Sequence, residues 1–317
     1  MRIRNIAGLL FCLAVAVTGC RQKTSNVIKA IAPRHITIYK NPKDSSADYY
    51  TTTLPKGSVK GLLVIENGQL TDKSKILAYD MGIMTMTVVP VSNSLDMLTG
   101  DEPLAIMDSL IAEVVAEHDI PPNKILIGGM SVEGTGAMRY VQYCELSKSK
   151  AGIKPAGLFG VDPPLDYERL WHESEHGVER NFSPDAVAEG KFVMLFLNDK
   201  MGGTPYNHIE AYRKASPFCY SAKNGGNAYL LNSIPLRIYV EPNINWWITN
   251  RRKDYYDLNA MDQAALINQL KINGNKDAEL VTTINKGKTL DGSYHPHSWS
   301  ILNEDELLKW CLKLFGN

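Results

Sequence analysis

The chain has 317 residues, 44% of them hydrophobic and 21% charged, with 34 basic against 34 acidic side chains. That composition excludes a disordered, collagen-like or coiled-coil chain, and the zero formal charge leaves no electrostatic footprint for nucleic acid. A mean hydropathy of −0.19 excludes a polytopic membrane protein.

The N-terminus reads as a targeting segment. Arg2 and Arg4 precede an apolar run from Ile6 to Thr18, followed by Gly19-Cys20. A charged start, an apolar stretch and a small-residue site make a signal peptide, expected over 1–19. The run would extend only about 20 Å as a helix, too short for a hydrocarbon core of about 30 Å. Val17-Thr18-Gly19-Cys20 resembles a bacterial lipobox, with Val17 where leucine is usual. The resemblance implies lipidation of Cys20, a tether over 20–32, and a lipid-anchored place in the bacterial cell envelope. Stable anchoring follows from several acyl chains at ~0.8 kcal/mol per buried CH₂. Removing Arg2 and Arg4 leaves 32 basic side chains against 34 acidic. Of the five cysteines, Cys144, Cys219 and Cys311 remain beyond this segment, widely spaced and without a CxxC pair. No zinc ribbon or disulfide scaffold is indicated.

Strands and helices then alternate. Ile36–Tyr39 and Tyr49–Leu54 read as short strands around a turn-rich Asn41–Asp48. Gly61–Ile65 and Thr85–Val91 follow as strands. Asp101 is placed to N-cap a helix with Pro103 in its first turn, and Leu104, Met107, Leu110, Ile111, Val114 and Val115 form its apolar stripe. Pro121-Pro122 stops that helix. Ile125-Leu126-Ile127 is an all-apolar strand, as a central parallel strand should be. A helix is expected over about 133–146, a strand over Gly157–Val161, a strand over Leu236–Val240, a helix over about 257–271, a strand over Leu280–Ile284 and a closing helix over Asp305–Phe315. Residues 165–233 break this rhythm as a polar, aromatic, mostly helical insertion, in which Phe192–Leu197 fits either helix or strand. The alternation argues for a mainly parallel α/β sheet and one domain over 33–317.

The strongest chemical signal is Gly129-Met130-Ser131-Val132-Glu133-Gly134, between the apolar strand and the next helix. This resembles the nucleophile elbow of the α/β-hydrolase family, where a serine on a strained turn exposes its Oγ above the sheet. Glu133 stands where the G-x-S-x-G pattern has glycine. The resemblance spans about 59–317 and implies a central parallel sheet with helices on both faces, the insertion serving as a lid. It also implies Ser131 as nucleophile and the chain order serine, acid, histidine. His297, in His295-Pro296-His297 before the closing helix, is the expected base, with His295 as second choice. Glu241, after the Leu236–Val240 strand, is the first choice of acid, with Asp162 as alternative and Asp254 or Asp257 further off. The amide of Val132 and that of Gly68 or Gln69 are the expected oxyanion donors. Such a site implies an esterase acting on a small-molecule ester, with neither metal nor organic cofactor.

Other readings are open. Glu133 and the Asn243/Asn245 loop would suit a catalytically inactive binding lipoprotein, and the same triad would serve a serine peptidase. His172-Glu173-Ser174-Glu175-His176 matches the HExxH pattern of zinc peptidases. There the charge of Glu175 and the adjacent Gly177, expected to end the helix, speak against a buried metal helix. Trp246 and Trp247 are placed to line a pocket for an aromatic or sugar group. No phosphate-binding glycine loop follows a strand, so no nucleotide site is indicated.

Overall fold

The computed structural model describes residues 33–41 and 43–316. The expected signal segment, Cys20 and the tether lie outside the described residues.

Eight strands form one sheet in the order β1-β2-β4-β3-β5-β6-β7-β8. β1 (His35–Tyr39), β2 (Tyr49–Thr53) and β4 (Ile83–Val89) pair antiparallel at one edge. From β4 onward, β3 (Gly61–Glu66), β5 (Ile125–Met130), β6 (Gly157–Val161), β7 (Leu236–Val240) and β8 (Ala278–Thr282) are parallel. β3 and β6 are buried along their whole length and β5 in all but Met130. That burial on both faces is why their sequences run apolar without alternating.

The strand period of two divides the core. Leu62, Val64, Ile125 and Ile127 pack on one face with α2 (Glu102–Glu117), α3 (Ser131–Glu145) and α8 (Asn259–Ile272). Leu63, Ile65 and Leu126 pack on the other with α1 (Asp72–Met81) and α9 (Glu304–Leu314). Cys144, Cys219 and Cys311 are buried free thiols.

Between β6 and β7 the chain forms α4 (Tyr167–Arg180), α5 (Pro184–Met201), α6 (Pro205–Ala215) and a 3₁₀ segment, Lys223–Leu231. These helices have their own core of Tyr167, Trp171, Leu197, Met201 and Tyr212. Phe192–Leu197 is helix. Gly177 does not end α4, which runs on to Arg180 and stops at Asn181 in the left-handed conformation, φ 45°. α5 instead crosses α4 so closely at Gly190 that a Cβ there would lie 2.6 Å from the Ser174 carbonyl oxygen. Asp101 occupies the N-cap position of α2 but makes no capping bond, its carboxylate going to Lys148 at 2.6 Å. A further helix, α7 (Ile244–Arg251), occupies the expected loop after β7.

Candidate active site

Ser131 opens α3 directly after β5, with φ 55° following an extended Met130. The turn is tight because strand and helix nearly touch. A Cβ on Gly129 would lie 2.7 Å from the Glu133 carbonyl carbon, and one on Gly134 would lie 2.8 Å from the Gly129 oxygen. The close approach that a glycine two residues after the serine normally allows is carried here by Gly129 and Gly134. Glu133 therefore fits, with its side chain directed outward. Its Oε1 accepts from Ser94 Oγ at 2.7 Å and from Asn67 Nδ2 at 3.3 Å. The carboxylate thus ties the elbow to the turn after β3.

Ser131 Oγ lies 3.0 Å from His297 Nε2, and His297 Nδ1 lies 2.7 Å from Asp162 Oδ2. Asp162 follows β6 with φ 50°. Its other oxygen accepts from Gln263 Nε2 at 2.8 Å, and its carbonyl accepts from Asn259 Nδ2 at 3.0 Å. Thr135 Oγ1 donates to the Pro164 carbonyl at 2.6 Å, fastening the elbow helix to the loop that carries Asp162. Burial disfavours the charged form of His297 most, but the hydrogen bond and charge of Asp162 together outweigh it and raise the imidazole above its ordinary value.

Glu241 is not the carboxylate at His297. Burial favours its neutral form, but donors outweigh that and hold it below the usual carboxylate range. They are Tyr294 Oη at 2.6 Å, and Thr283 Oγ1 and the Lys286 amide at 2.8 Å each. All three lie between β8 and α9, in the segment that carries His297. Asp254 and Asp257 are also engaged elsewhere. Asp254 caps a short 3₁₀ turn and pairs with Arg180 at 2.9 Å, and Asp257 binds His176 Nδ1 at 2.8 Å. His295 accepts the His297 amide at Nδ1, 3.2 Å away. Trp246 and Trp247 meet its ring edge-on at 4.5 and 5.8 Å. Burial, helped by the charges of His297 and Arg251, holds His295 below its ordinary value.

A cavity of about 360 Å³ opens on Ser131 and His297, walled by Val132, Leu170, Val193 and Trp247 among others. Val132 follows the serine at the start of α3, where helix amides lack partners within the helix. Gly68 stands in the β3 turn outside the cavity wall, its carbonyl accepting from Thr87 Oγ1 at 2.7 Å. The Asn67 amide is taken by the Val88 carbonyl at 2.9 Å.

The HExxH residues do not converge. His172 packs edge-on against Trp171 and Tyr206, Glu173 pairs with Arg169 at 3.1 Å and with Lys253, and His176 is held by Asp257. Among the described residues, Asp166, Glu168 and Cys219 are the only such side chains close enough together to share an ion. Asp166 there is a turn anchor, accepting the amides of Glu168, Arg169 and Tyr220 at 3.0, 3.3 and 2.8 Å.

No family model matches the chain, and no curated protein matches its sequence. Solved structures do match. MPT51 of Mycobacterium tuberculosis is similar over 84% of this chain and 93% of its own, at 11% identity and a TM-score of 0.52. This chain has the α/β-hydrolase fold. An acylaminoacyl peptidase of Pyrococcus horikoshii shares the α/β-hydrolase arrangement over 90% of this chain, at 15% identity and a TM-score of 0.54. This chain spans 41% of that peptidase's length. An esterase of the archaeon Pyrobaculum calidifontis also matches over 90% of this chain and 83% of its own, at 14% identity and a TM-score of 0.48.

Sequence reasoning missed Gln263 and Asn259. They lie about a hundred residues from Asp162 on a helix whose own pattern gives no sign of that contact. It also missed the Ser94 and Asn67 contacts of Glu133. There the misplaced charge was itself a signal that something outside the elbow receives it.

Proposed function

We propose that this protein is a serine hydrolase that cleaves small-molecule carboxylic esters by acyl transfer. The observation that carries the reading is the unbroken chain of contacts from Ser131 through His297 to Asp162 beside a cavity. Ser131 Oγ attacks the ester carbonyl while His297 Nε2 takes its proton. Asp162 holds the ring through Nδ1, fixing the tautomer that leaves Nε2 free to accept and stabilising the imidazolium that forms. His297 then gives the proton to the leaving alcohol, the acyl group stays on Ser131, and water repeats the sequence to release the acid.

The tetrahedral oxyanion is held by the amide of Val132, on the cavity wall at the start of α3. α4, α5 and α6 act as a lid that sets substrate access. Lipidation of Cys20 would hold the enzyme at a bacterial envelope membrane. The hydrogen bonds made by Glu133 give that residue a role compatible with catalysis, which weakens the case for an inactive binding protein.

A fluorophosphonate probe tests this reading. Wild type should be labelled and should hydrolyse 4-nitrophenyl butyrate, and Ser131→Ala should do neither. Folded wild-type protein that resists the probe would overturn it. Faster cleavage of an acylated aminoacyl anilide than of the ester would turn the reading toward a peptidase.

A further inference from the structure

The cavity wall carries more charge than ester cleavage requires, and its carboxylates and cations differ in how far they are already paired. Four of its carboxylates are already occupied. Asp162 receives His297 and Gln263, and Glu241 receives Tyr294, Thr283 and the Lys286 amide. Glu173 receives Arg169 and Lys253, and Asp257 receives His176 and Arg180. The fifth, Glu189 on α5, is solvent-exposed and has no hydrogen bond with any described residue, acting only through its charge, which favours the charged form of Lys253.

The cations of the wall are different. Arg251, the last residue of α7, is half-buried and lines the cavity, yet has no hydrogen bond or ion pair with any described residue. Its guanidinium has five N–H donors to offer. Lys253 has three, and only Glu173 accepts from it, with the Trp247 ring 5.5 Å from its Nζ. Both cations act on the site itself. Arg251 helps to lower His295, and Lys253 opposes protonation of His297. None of the Arg251 guanidinium nitrogens is shut off from water, so its donors stay open to an incoming anion, and a carboxylate is an acceptor whose geometry matches their fork.

We propose that Arg251 and Lys253 form a subsite for an anionic group, a carboxylate, on the substrate whose ester bond is presented to Ser131. The substrate class is then a small ester that carries a free acid, on either its acyl or its alcohol side. Trp247, on the cavity wall one helical turn before Arg251 and beside Lys253, supplies an apolar surface along which the linker between acid and ester can lie. The proposal rests on the hydrolase reading for the ester but not for the acid. Cations at the end of a helix also suit its dipole, and that role alone would stabilise α7 without selecting a substrate.

Two measurements separate these outcomes. The first compares kcat/KM for matched pairs: 4-nitrophenyl hydrogen glutarate against 4-nitrophenyl valerate, and 4-acetoxybenzoate against phenyl acetate. The acid-bearing member of at least one pair should be favoured by about 10-fold or more, chiefly through KM and less so at high salt. In Arg251→Gln that ratio should fall to near one. Equal or better turnover of both neutral esters, or a ratio unmoved by Arg251→Gln, overturns the proposal. The second measurement is calorimetric binding of glutarate to Ser131→Ala, which needs no catalysis. Saturable binding that weakens about 10-fold or more on adding Arg251→Gln supports the subsite even if the probe fails to label Ser131. A melting temperature lowered by Arg251→Gln with glutarate binding unchanged reduces Arg251 to a helix-end cation and overturns it.

Discussion

Asp162 and Glu241 stand at the carboxyl ends of neighbouring parallel strands, and their fates diverge. Asp162 follows β6 in a left-handed turn and reaches the imidazole of His297. Glu241 follows β7 and reaches three donors in the segment between β8 and α9, on which His297 sits. One carboxylate orients the ring and the other orients the chain that carries the ring. Both act on the same histidine, but only Asp162 touches it. The acid position is decided by which carboxylate the local turn leaves free to reach the imidazole, and rank along the sheet does not settle it.

The sharpest way to break that comparison is Asp162→Asn. It should lower kcat by about 10³–10⁴-fold, because an amide at this position no longer enforces the tautomer with Nε2 free. The pH profile gives a second readout. His297 accepts a proton only when neutral, and its value is raised in the folded protein. Wild-type kcat/KM should therefore fall as pH drops through a point above the usual value of about 6.5. In Asp162→Asn the anion that favours the imidazolium is gone, so the acid limb of the remaining activity should move to lower pH. A profile that stays in place would mean that Asp162 does not govern the base.

Glu133 should have the next largest effect. Glu133→Gly restores the residue usual in this elbow but cuts the tie to Ser94 and Asn67. We expect kcat to fall about 10-fold with KM little changed, as for loss of support to a transition-state donor. Glu133→Gln can still accept from Ser94 and should recover most of the rate. If Glu133→Gly matches wild type in steady-state assays, the tie is idle.

Glu241→Gln should be the mildest in activity. It keeps one oxygen for Thr283 and Lys286 but loses the acceptor for Tyr294. A cost of about 1–2 kcal/mol in chemical denaturation and a drop in kcat of less than about 10-fold are expected. A loss as large as that of Asp162→Asn would erase the distinction between ring and chain.

The legible part of the molecule is the part with local signals. The serine elbow shows because an apolar strand, glycines and a helix lie within fourteen residues. The histidine segment shows because it precedes the closing helix. The parallel core shows in the uninterrupted apolar runs of β3 and β5. The resemblance favours Glu241 at His297 because it follows the strand after which the family usually places its acid, and the left-handed φ that turns Asp162 to the ring instead leaves no local mark in the sequence. α7 was hidden because Ile244, Trp246 and Trp247 cluster at its start and give no amphipathic period. It contains no fully buried residue. Gly177 looked like a helix end because glycine is the usual letter at a C-cap, whereas here Asn181 takes the left-handed position that stops α4.

Ser131 itself has a consequence for folding. A non-glycine residue with φ near 55° sits in a conformation costing about 1–2 kcal/mol, and every copy of the fold carries that cost whether or not substrate is present. The two simplest inactive variants should therefore melt differently. Ser131→Ala keeps the Cβ and the penalty, while Ser131→Gly removes both and should be the more stable by about 0.5–1 kcal/mol. Differential scanning calorimetry of the pair would measure conformational energy held at the elbow in the resting protein. Equal melting temperatures would mean that the turn is relaxed.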